Sequence, residues 1–415
     1  AYRFEGVRFL PTSLVDLSNP TAVTWMKDQY RLGLEAGADG YMADFAEWLP
    51  TDAVLHSGED ARTHHNRYPV AFQQANKELF DEMHAIDDVE RLFFVRSAFL
   101  GSQPLVSVVW AGDQQTDFSL GDGLPSVIPM GIGLGLTGFP YFAHDIGGYM
   151  SSMTQATSKE LWFRWVTLGA LSPIMRTHHG KSALENWNWE SDAESTTHLQ
   201  RWARLHIQLY PYLRGLAELA AAQGLPLMRP EFEPGWTVTD QFMLGDRLYV
   251  APIVEEGASQ RSLALPPGRY FPLLGGPPLD VSAGQRPVVD AALEDIPVFV
   301  PAGSLLVLLP EEIDSLAPSH GESGVIDLHD VGDDRVLWLF RGGESLWSES
   351  GLNYSWQAAD DLGQEEARWN GQTVSWQDDS LTLTGNGVLE IGAAGRGRLE
   401  VSGGDPDRVL RISLR

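Results

Sequence analysis

The sequence predicts an α/β chain: a (β/α)8 barrel of the TIM type followed by two small antiparallel β-sandwich domains. Three observations carry this. Up to about residue 223, short apolar runs alternate with segments of helical period, the pattern of a parallel sheet with crossover helices. Several of those runs end in a charged residue, as the strands of such barrels do at their open face. After Pro230 the helical period disappears, and short strand-like runs alternate with Gly and Pro turns. At 415 residues, 43% apolar and with 14 Trp, the chain is long enough for two or three domains with sizeable cores.

Arg8 to Leu17 reads as a first strand with Asp16 at its end. Ser18-Asn19-Pro20 then starts a helix, with a polar cap and a proline in the first turn. Val23, Met26, Tyr30 and Leu34 recur at spacings of three and four, so this helix spans Asn19 to Ala36. Ala38 to Ala43 is a short buried strand that delivers Asp44. A polar, His-containing loop at 51–70 precedes a helix over about 69–84. Leu92 to Val95 is the next strand, ending in Arg96-Ser97, and Val106 to Trp110 follows, ending in Ala111-Gly112-Asp113-Gln114. Gly123 to Gly138 is a buried helix, and Phe139 to Asp145 a strand that runs into the turn Gly147-Gly148-Tyr149. A helix from Ser158 to Leu171 leads to Pro173-Ile174-Met175-Arg176-Thr177-His178, where a further strand is expected to end. One long amphipathic helix runs from about Ala193 to Gln223. These make six strand–helix units where a closed barrel has eight, so the remaining strands are expected upstream of residue 1. Beyond Pro230 the strand-like runs include 241–252, 262–266, 298–309, 336–340 and 380–384. The expected division is a partial barrel over 1–230, a proximal β domain over 231–310 and a distal one over 311–415.

The net charge of −27 argues against nucleic acid as a partner, because phosphate contacts need clustered Lys and Arg, and it disfavours an anionic membrane surface. An anionic substrate stays open, since a local Arg or Lys reverses the field within a pocket. With no Cys there are no disulfides, zinc-thiolate sites or thiol nucleophiles. No apolar run is long enough to cross a bilayer, and the first residues carry no signal-peptide pattern, so a cytoplasmic location is expected.

Asp44 and Asp113 each follow a buried apolar run. In a parallel barrel all strand C-termini face one way, so both carboxylates reach one mouth. Glycoside cleavage needs two such acids, one ionised to attack the anomeric carbon and one protonated to release the leaving oxygen. A retaining pair lies about 5–5.5 Å apart. The plain alternative is two loop aspartates among 56 acidic residues, with Asp44 only starting a turn. Arg96, Asp145, Arg176 and His178 fall at further strand ends, and Trp48, Trp110 and Tyr149 offer the aromatic surface that sugar faces prefer. His178 read alone is more often a hydrogen-bonded structural histidine, and either arginine could simply pair with a nearby acid. Gly131-Ile132-Gly133-Leu134-Gly135-Leu136 breaks the dinucleotide spacing at Leu136 and lies inside a helix. His64-His65 and His178-His179 are adjacent pairs, not a helical i, i+4 metal pair. Two carboxylates and water suffice, so no metal or organic cofactor is called for.

Asp44-Phe45-Ala46-Glu47-Trp48-Leu49-Pro50-Thr51-Asp52, Arg96-Ser97, Trp110-Ala111-Gly112-Asp113, His144-Asp145-Ile146-Gly147-Gly148-Tyr149 and Met175-Arg176-Thr177-His178 resemble, in order and spacing, the signatures of glycoside hydrolase family 31. The likeness covers roughly residues 8–310. It implies a retaining hydrolase of α-linked sugars, with Asp44 as nucleophile and Asp113 as general acid/base. It also implies substrate contacts from Arg96 and His178, and places Glu47, Trp110, Asp145 and Arg176 in the same motifs. Within the family, Met42 to Phe45, Trp110 to Gln114, Asp117-Phe118-Ser119 and Asp122-Gly123-Leu124 most resemble the sulfoquinovosidases, which cleave α-glycosides of 6-sulfonated glucose. There a tyrosine at the position of Tyr149 binds the sulfonate through water, while α-glucosidases and α-xylosidases more often carry Phe. The subgroup's sulfonate-gripping Arg and Trp would precede Ala1; within this chain Arg176 and Lys181 are the nearby cations. The expected partner is thus a small glycoside, sulfonated if the subgroup likeness holds. A homo-oligomer, an α-glucosidase or α-xylosidase, and an incomplete fragment that needs its upstream segment remain open.

Overall fold

A computed structural model of the chain describes residues 13–151, 155–178, 180, 182–231, 238–332, 334–340 and 345–357, with the backbone of short strands at 3–4, 7–8, 365–369, 372–377, 380–384, 399–400 and 410–414. The chain divides into two compact units, Ala1–Gly112 and Asp113–Arg415.

In the first unit, helix α1 spans Pro20–Glu35. Its cap is Asn19, whose side chain accepts from the Thr21 amide, and Pro20 supplies the preset φ of a first turn. Met26 and Leu34 are buried, but Tyr30 is 36% exposed, so the apolar stripe is narrower than its spacing implied. The Tyr30 ring instead meets Tyr41 at 5.4 Å between centroids. Strands β1 (Gly40–Ala43), β2 (Leu92–Val95) and β3 (Val108–Trp110) run parallel. Helix α2 (Tyr68–Asp87) lies over them, with Phe80 edge-on to Tyr41 and tilted on Phe93. It ends at Asp88 in the left-handed region, φ 58°.

The expected first strand does not form as read. Val7–Arg8 pairs antiparallel with Arg3–Phe4, residues 9–12 lie outside the described residues, and 13–16 are irregular. Asp16 spends its carboxylate on local donors, accepting from Ser18 N, Ser18 Oγ and His56 N at 3.0, 2.6 and 2.7 Å. That is the turn chemistry of an aspartate ahead of a helix, not a strand end. Burial alone would raise its pKa, but these donors hold it below the usual value.

In the second unit, helix α3 (Val127–Leu136) precedes strand β4 (Tyr141–Ala143). Helix α4 (Lys159–Ala170), capped by the Ser158 hydroxyl, is buried from Leu161 onward. The expected long helix is two helices, α5 (Ala193–Gln208) and α6 (Tyr210–Gln223). Pro211 is the reason: it has no N–H for the carbonyl four residues back, so the ladder breaks at Leu209. The strand expected at 173–178 is only one parallel bridge, Thr177 to Ile146. Among the described residues the six strand–helix units therefore reduce to strands β1 to β4.

After residue 227 the described strands pair antiparallel, with one isolated parallel bridge between Ser315 and Asp327. A six-stranded sheet runs in the order 279–281, 268–272, 298–301, 248–250, 242–244, 228–229, and 260–262 pairs with 288–290. Met243, Tyr249, Leu263, Leu265, Tyr270 and Phe299 form a core between them. Leu305–Leu308 pairs with Arg335–Leu339, so the last sheet takes its first strand from before residue 311. A five-stranded meander covers strands between 345 and 384. Among the described residues no helix is long and apolar enough to cross a membrane.

Candidate active site

Strand register brings one group of the predicted residues together in the first unit. Ala43 lies level with Val95, and Val95 with Val109. The residues that follow, Asp44, Arg96 and Trp110, therefore leave the sheet at one height, at its C-terminal edge. Arg96 Nε donates to Glu47 Oε1 at 2.8 Å and lies 3.3 Å from Asp44 Oδ1. Its guanidinium carbon sits 4.4 Å from the centroid of Phe45 and 5.0 Å from that of Trp48. A planar cation between two carboxylates and two aromatic faces is held in orientation as well as in charge. Asp44 Oδ1 also accepts from the Phe45 amide at 2.7 Å.

The backbone here is strained. Phe45 and Ala46 both have positive φ, 67° and 76°, which costs an L-residue roughly 1–2 kcal/mol each. The turn is secured by Ser97 Oγ, which donates to the Phe45 carbonyl at 2.6 Å. Strain of this kind persists only where its surroundings fix it. Trp110 differs from expectation. It is 2% exposed and packs edge-on against Phe94, so its ring faces are core and not open surface.

The second unit carries its own group of the predicted residues. Asp113 is half-buried in a bend. Strand β4 delivers His144 and Asp145, both 0% exposed. Trp165 Nε1 donates to His144 Nδ1 at 3.0 Å, and because indole only donates, the His144 proton sits on Nε2. That nitrogen bonds Ser172 Oγ at 2.8 Å. Burial, with the nearby Arg176 charge, pushes the His144 pKa down to about 3, so the ring is neutral. Arg176 pairs with Asp145 Oδ1. The Tyr149 and His178 rings stack at 5.0 Å with 7° between planes. His178 also borders a small cleft with Trp162, Trp187 and Trp189. Lys181 and His179 lie outside the described residues.

Residues 3–216 match the description "Glycosyl hydrolases family 31 TIM-barrel domain", and 220–306 match "Glycosyl hydrolase family 31 C-terminal domain". The chain belongs to glycoside hydrolase family 31. Among its relatives is the sulfoquinovosidase of Escherichia coli strain K12, 39% identical over 298 residues, which cover 70% of this chain and 43% of that protein. The sulfoquinovosidase of Agrobacterium fabrum is 36% identical over 301 residues, with 70% and 45% covered. A solved family 31 sulfoquinovosidase from E. rectale, in complex with the aza-sugar inhibitor IFGSQ, superposes with a TM-score of 0.65 at 33% identity. That match covers 70% of this chain and 44% of the other. The chain spans less than half the length of the curated relatives named here.

For this family 31 chain, the register brings together Asp44, Glu47 and Arg96, and the second unit brings together Asp145 with Arg176 and Tyr149 with His178. Sequence reasoning missed Ser97 as an anchor, Phe45 as a cation platform and His144 as a buried hydrogen-bond relay. The first two follow from a left-handed turn that no glycine announces. His144 carried a signal: a histidine within an apolar run that has nowhere to lose its charge but by neutralising. His64 and His65 are spent locally, on Glu59 Oε2 at 2.9 Å and the Leu49 carbonyl at 2.6 Å.

Proposed function

We propose that the whole protein is a retaining α-glycosidase that cleaves α-sulfoquinovosides to release sulfoquinovose. Residues 1–230 supply part of a catalytic barrel, and two β domains follow, the second taking in the strand at Leu305–Leu308. The reading is carried by the register that brings Asp44 and Arg96 level at the sheet's C-terminal edge. It is supported by family membership and by 36–39% identity to two sulfoquinovosidases.

Asp44 Oδ1 is engaged by the Phe45 amide and faces Arg96, which leaves Oδ2 to attack. Oδ2 bonds the anomeric carbon as its bond to the leaving oxygen breaks, and the Asp113 proton goes to that oxygen. Asp113, now a carboxylate, takes a proton from water. The water oxygen displaces Asp44 from the anomeric carbon, and two inversions give net retention. Arg96 and His178 hold sugar hydroxyls, Glu47 fixes Arg96, and the Arg176–Asp145 pair shapes the wall. The Tyr149 phenol gives that wall a polar end for a sulfonate oxygen or an ordered water.

The test is hydrolysis of 4-nitrophenyl α-sulfoquinovoside against 4-nitrophenyl α-glucoside by the whole protein, with Asp44→Asn as control. Preference for the sulfonated substrate, first release of the α-anomer by NMR, and loss of at least about a thousandfold in the variant are expected. Preference for the glucoside removes the sulfonate assignment. First release of the β-anomer removes the mechanism.

A further inference from the structure

The loop that carries Asp113 has no regular structure, yet a general acid must hold its proton within hydrogen-bond reach of the leaving oxygen. The next residue shows how the loop is fixed. The Gln114 carbonyl accepts from both Tyr149 N and Met150 N, each at 2.8 Å. One residue further on, the backbone of Gln115 runs directly over Gly148. A methyl group on Gly148 would stand 2.8 Å from the Gln115 carbonyl oxygen and 3.1 Å from Thr116 Cα. Those are backbone atoms, which cannot turn aside as a side chain does. Gly148 also has φ 80°, so the turn that Gly148 N closes onto the Asp145 carbonyl is itself a glycine conformation. On the far side of the loop, Thr116 Oγ1 donates to the Gln155 carbonyl.

The same stretch reaches His178. The Tyr149 ring stacks on that imidazole, and a methyl group on Gly180 would stand 2.2 Å from the Tyr149 carbonyl oxygen. Tyr149 thus has its amide bonded beside Asp113, its carbonyl pressed on the His178 loop and its ring on His178 itself.

We infer that Gly148 is the positioning residue for the general acid/base: the close approach of the Gln115 backbone to its bare Cα sets the distance from which Asp113 delivers its proton. This rests on Asp113 being that acid/base. Adding one methyl group pushes the Gln114–Thr116 backbone outward and Asp113 with it, while the attacking Asp44 lies on another part of the chain.

Leaving-group dependence separates such an effect from a general loss of structure. A 4-nitrophenolate departs with little help, whereas methoxide must be protonated as it leaves. The experiment measures kcat/KM of the whole protein and of Gly148→Ala on the 4-nitrophenyl and methyl α-glycosides of the sugar preferred in the assay above. Expected is a loss of about a hundredfold or more on the methyl glycoside and less than about tenfold on the nitrophenyl one, within the two to four decades a general acid supplies. Equal losses on both overturn the inference, because Gly148 then only supports the fold. If Gly148→Ala does not fold, Thr116→Val decides. It releases the other side of the loop, and a shift of about threefold or more in the same ratio is expected; an unchanged ratio overturns the inference. Asp113→Ala is the control, with the same leaving-group preference and rescue of the nitrophenyl substrate by azide, a nucleophile that needs no base. Without either signature in that control, the assignment of Asp113 fails and the inference falls with it, at a different residue from a Gly148 failure.

Discussion

Ser97 illustrates how much a single hydroxyl can hold. Its Oγ secures the Phe45 carbonyl in a turn where two successive L-residues take positive φ, directly after the proposed nucleophile. One net hydrogen bond is worth about 1 kcal/mol. Relaxation of the turn would re-aim Asp44 without removing any sugar contact. Ser97→Ala is therefore expected to lower kcat by about five- to tenfold and to leave KM within about twofold, since 1.36 kcal/mol is a decade of rate. Steady-state kinetics on the preferred nitrophenyl glycoside check this; a change confined to KM would assign Ser97 to substrate binding instead. Nothing in the sequence marks this turn. Phe45 and Ala46 are poor left-handed residues, so the backbone is imposed by Arg96, Ser97 and Trp48 from outside.

Helix α3 settles the fate of the glycine run. Gly131 and Gly135 lie one turn apart on the face against β4 and the strand at 228–229. A methyl group on Gly135 would sit 2.8 Å from the Met228 carbonyl oxygen, and one on Gly131 2.7 Å from the Phe142 ring. Gly133, on the exposed side, has nothing within 4 Å. The run is a packing device and not a phosphate cradle, as its broken spacing implied. Opposite outcomes follow for one chemical change. Gly135→Ala is expected to destabilise by about 1–3 kcal/mol through overpacking. Gly133→Ala is expected to stabilise by about 1 kcal/mol, the helix-interior difference between the two residues. Urea midpoints of the two variants measure both, and equal values would mean that α3 does not pack as described. The split of the expected long helix at Leu209 belongs to this scale too: the apolar period ran through Pro211, and the missing N–H overrode it.

At the scale of the whole molecule, buried histidines contribute to the response to mild acid. His144 and His198 have pKa values pushed down by burial, to about 3 and about 4, and His206 is lowered as well. The unfolded chain titrates them near 6.5. Above that value neither state binds the protons. Below it the unfolded state binds them first, so stability falls as the pH drops from about 6.5 toward the folded values. Denaturation midpoints at pH 7.5 and pH 5 are expected to show that loss. His144→Gln, which removes one of the three titrations, is expected to show a smaller difference between the two pH values even where its stability at pH 7.5 is lower. An unchanged difference would mean that His144 does not stay neutral in the fold.

The sequence by itself determined the family, the alternation of strands and helices up to residue 223, the change to antiparallel β structure after it, and where Asp44 and Arg96 fall relative to their strands. All of these are local: apolar period, cap residues and fixed motif spacing are readable from neighbours in the chain. Tertiary structure alone decided that Arg96 is shared between Asp44 and Glu47, that Trp110 is core, that Tyr149 stacks on His178, and that Gly148 is bare because the Gln115 backbone passes over it. It also decided that Asp16 and Arg176 do not close regular strands. Each of these depends on which backbone approaches which from far along the chain, and on which donors are already spent. Neither leaves a mark on the composition or the period of the segment concerned.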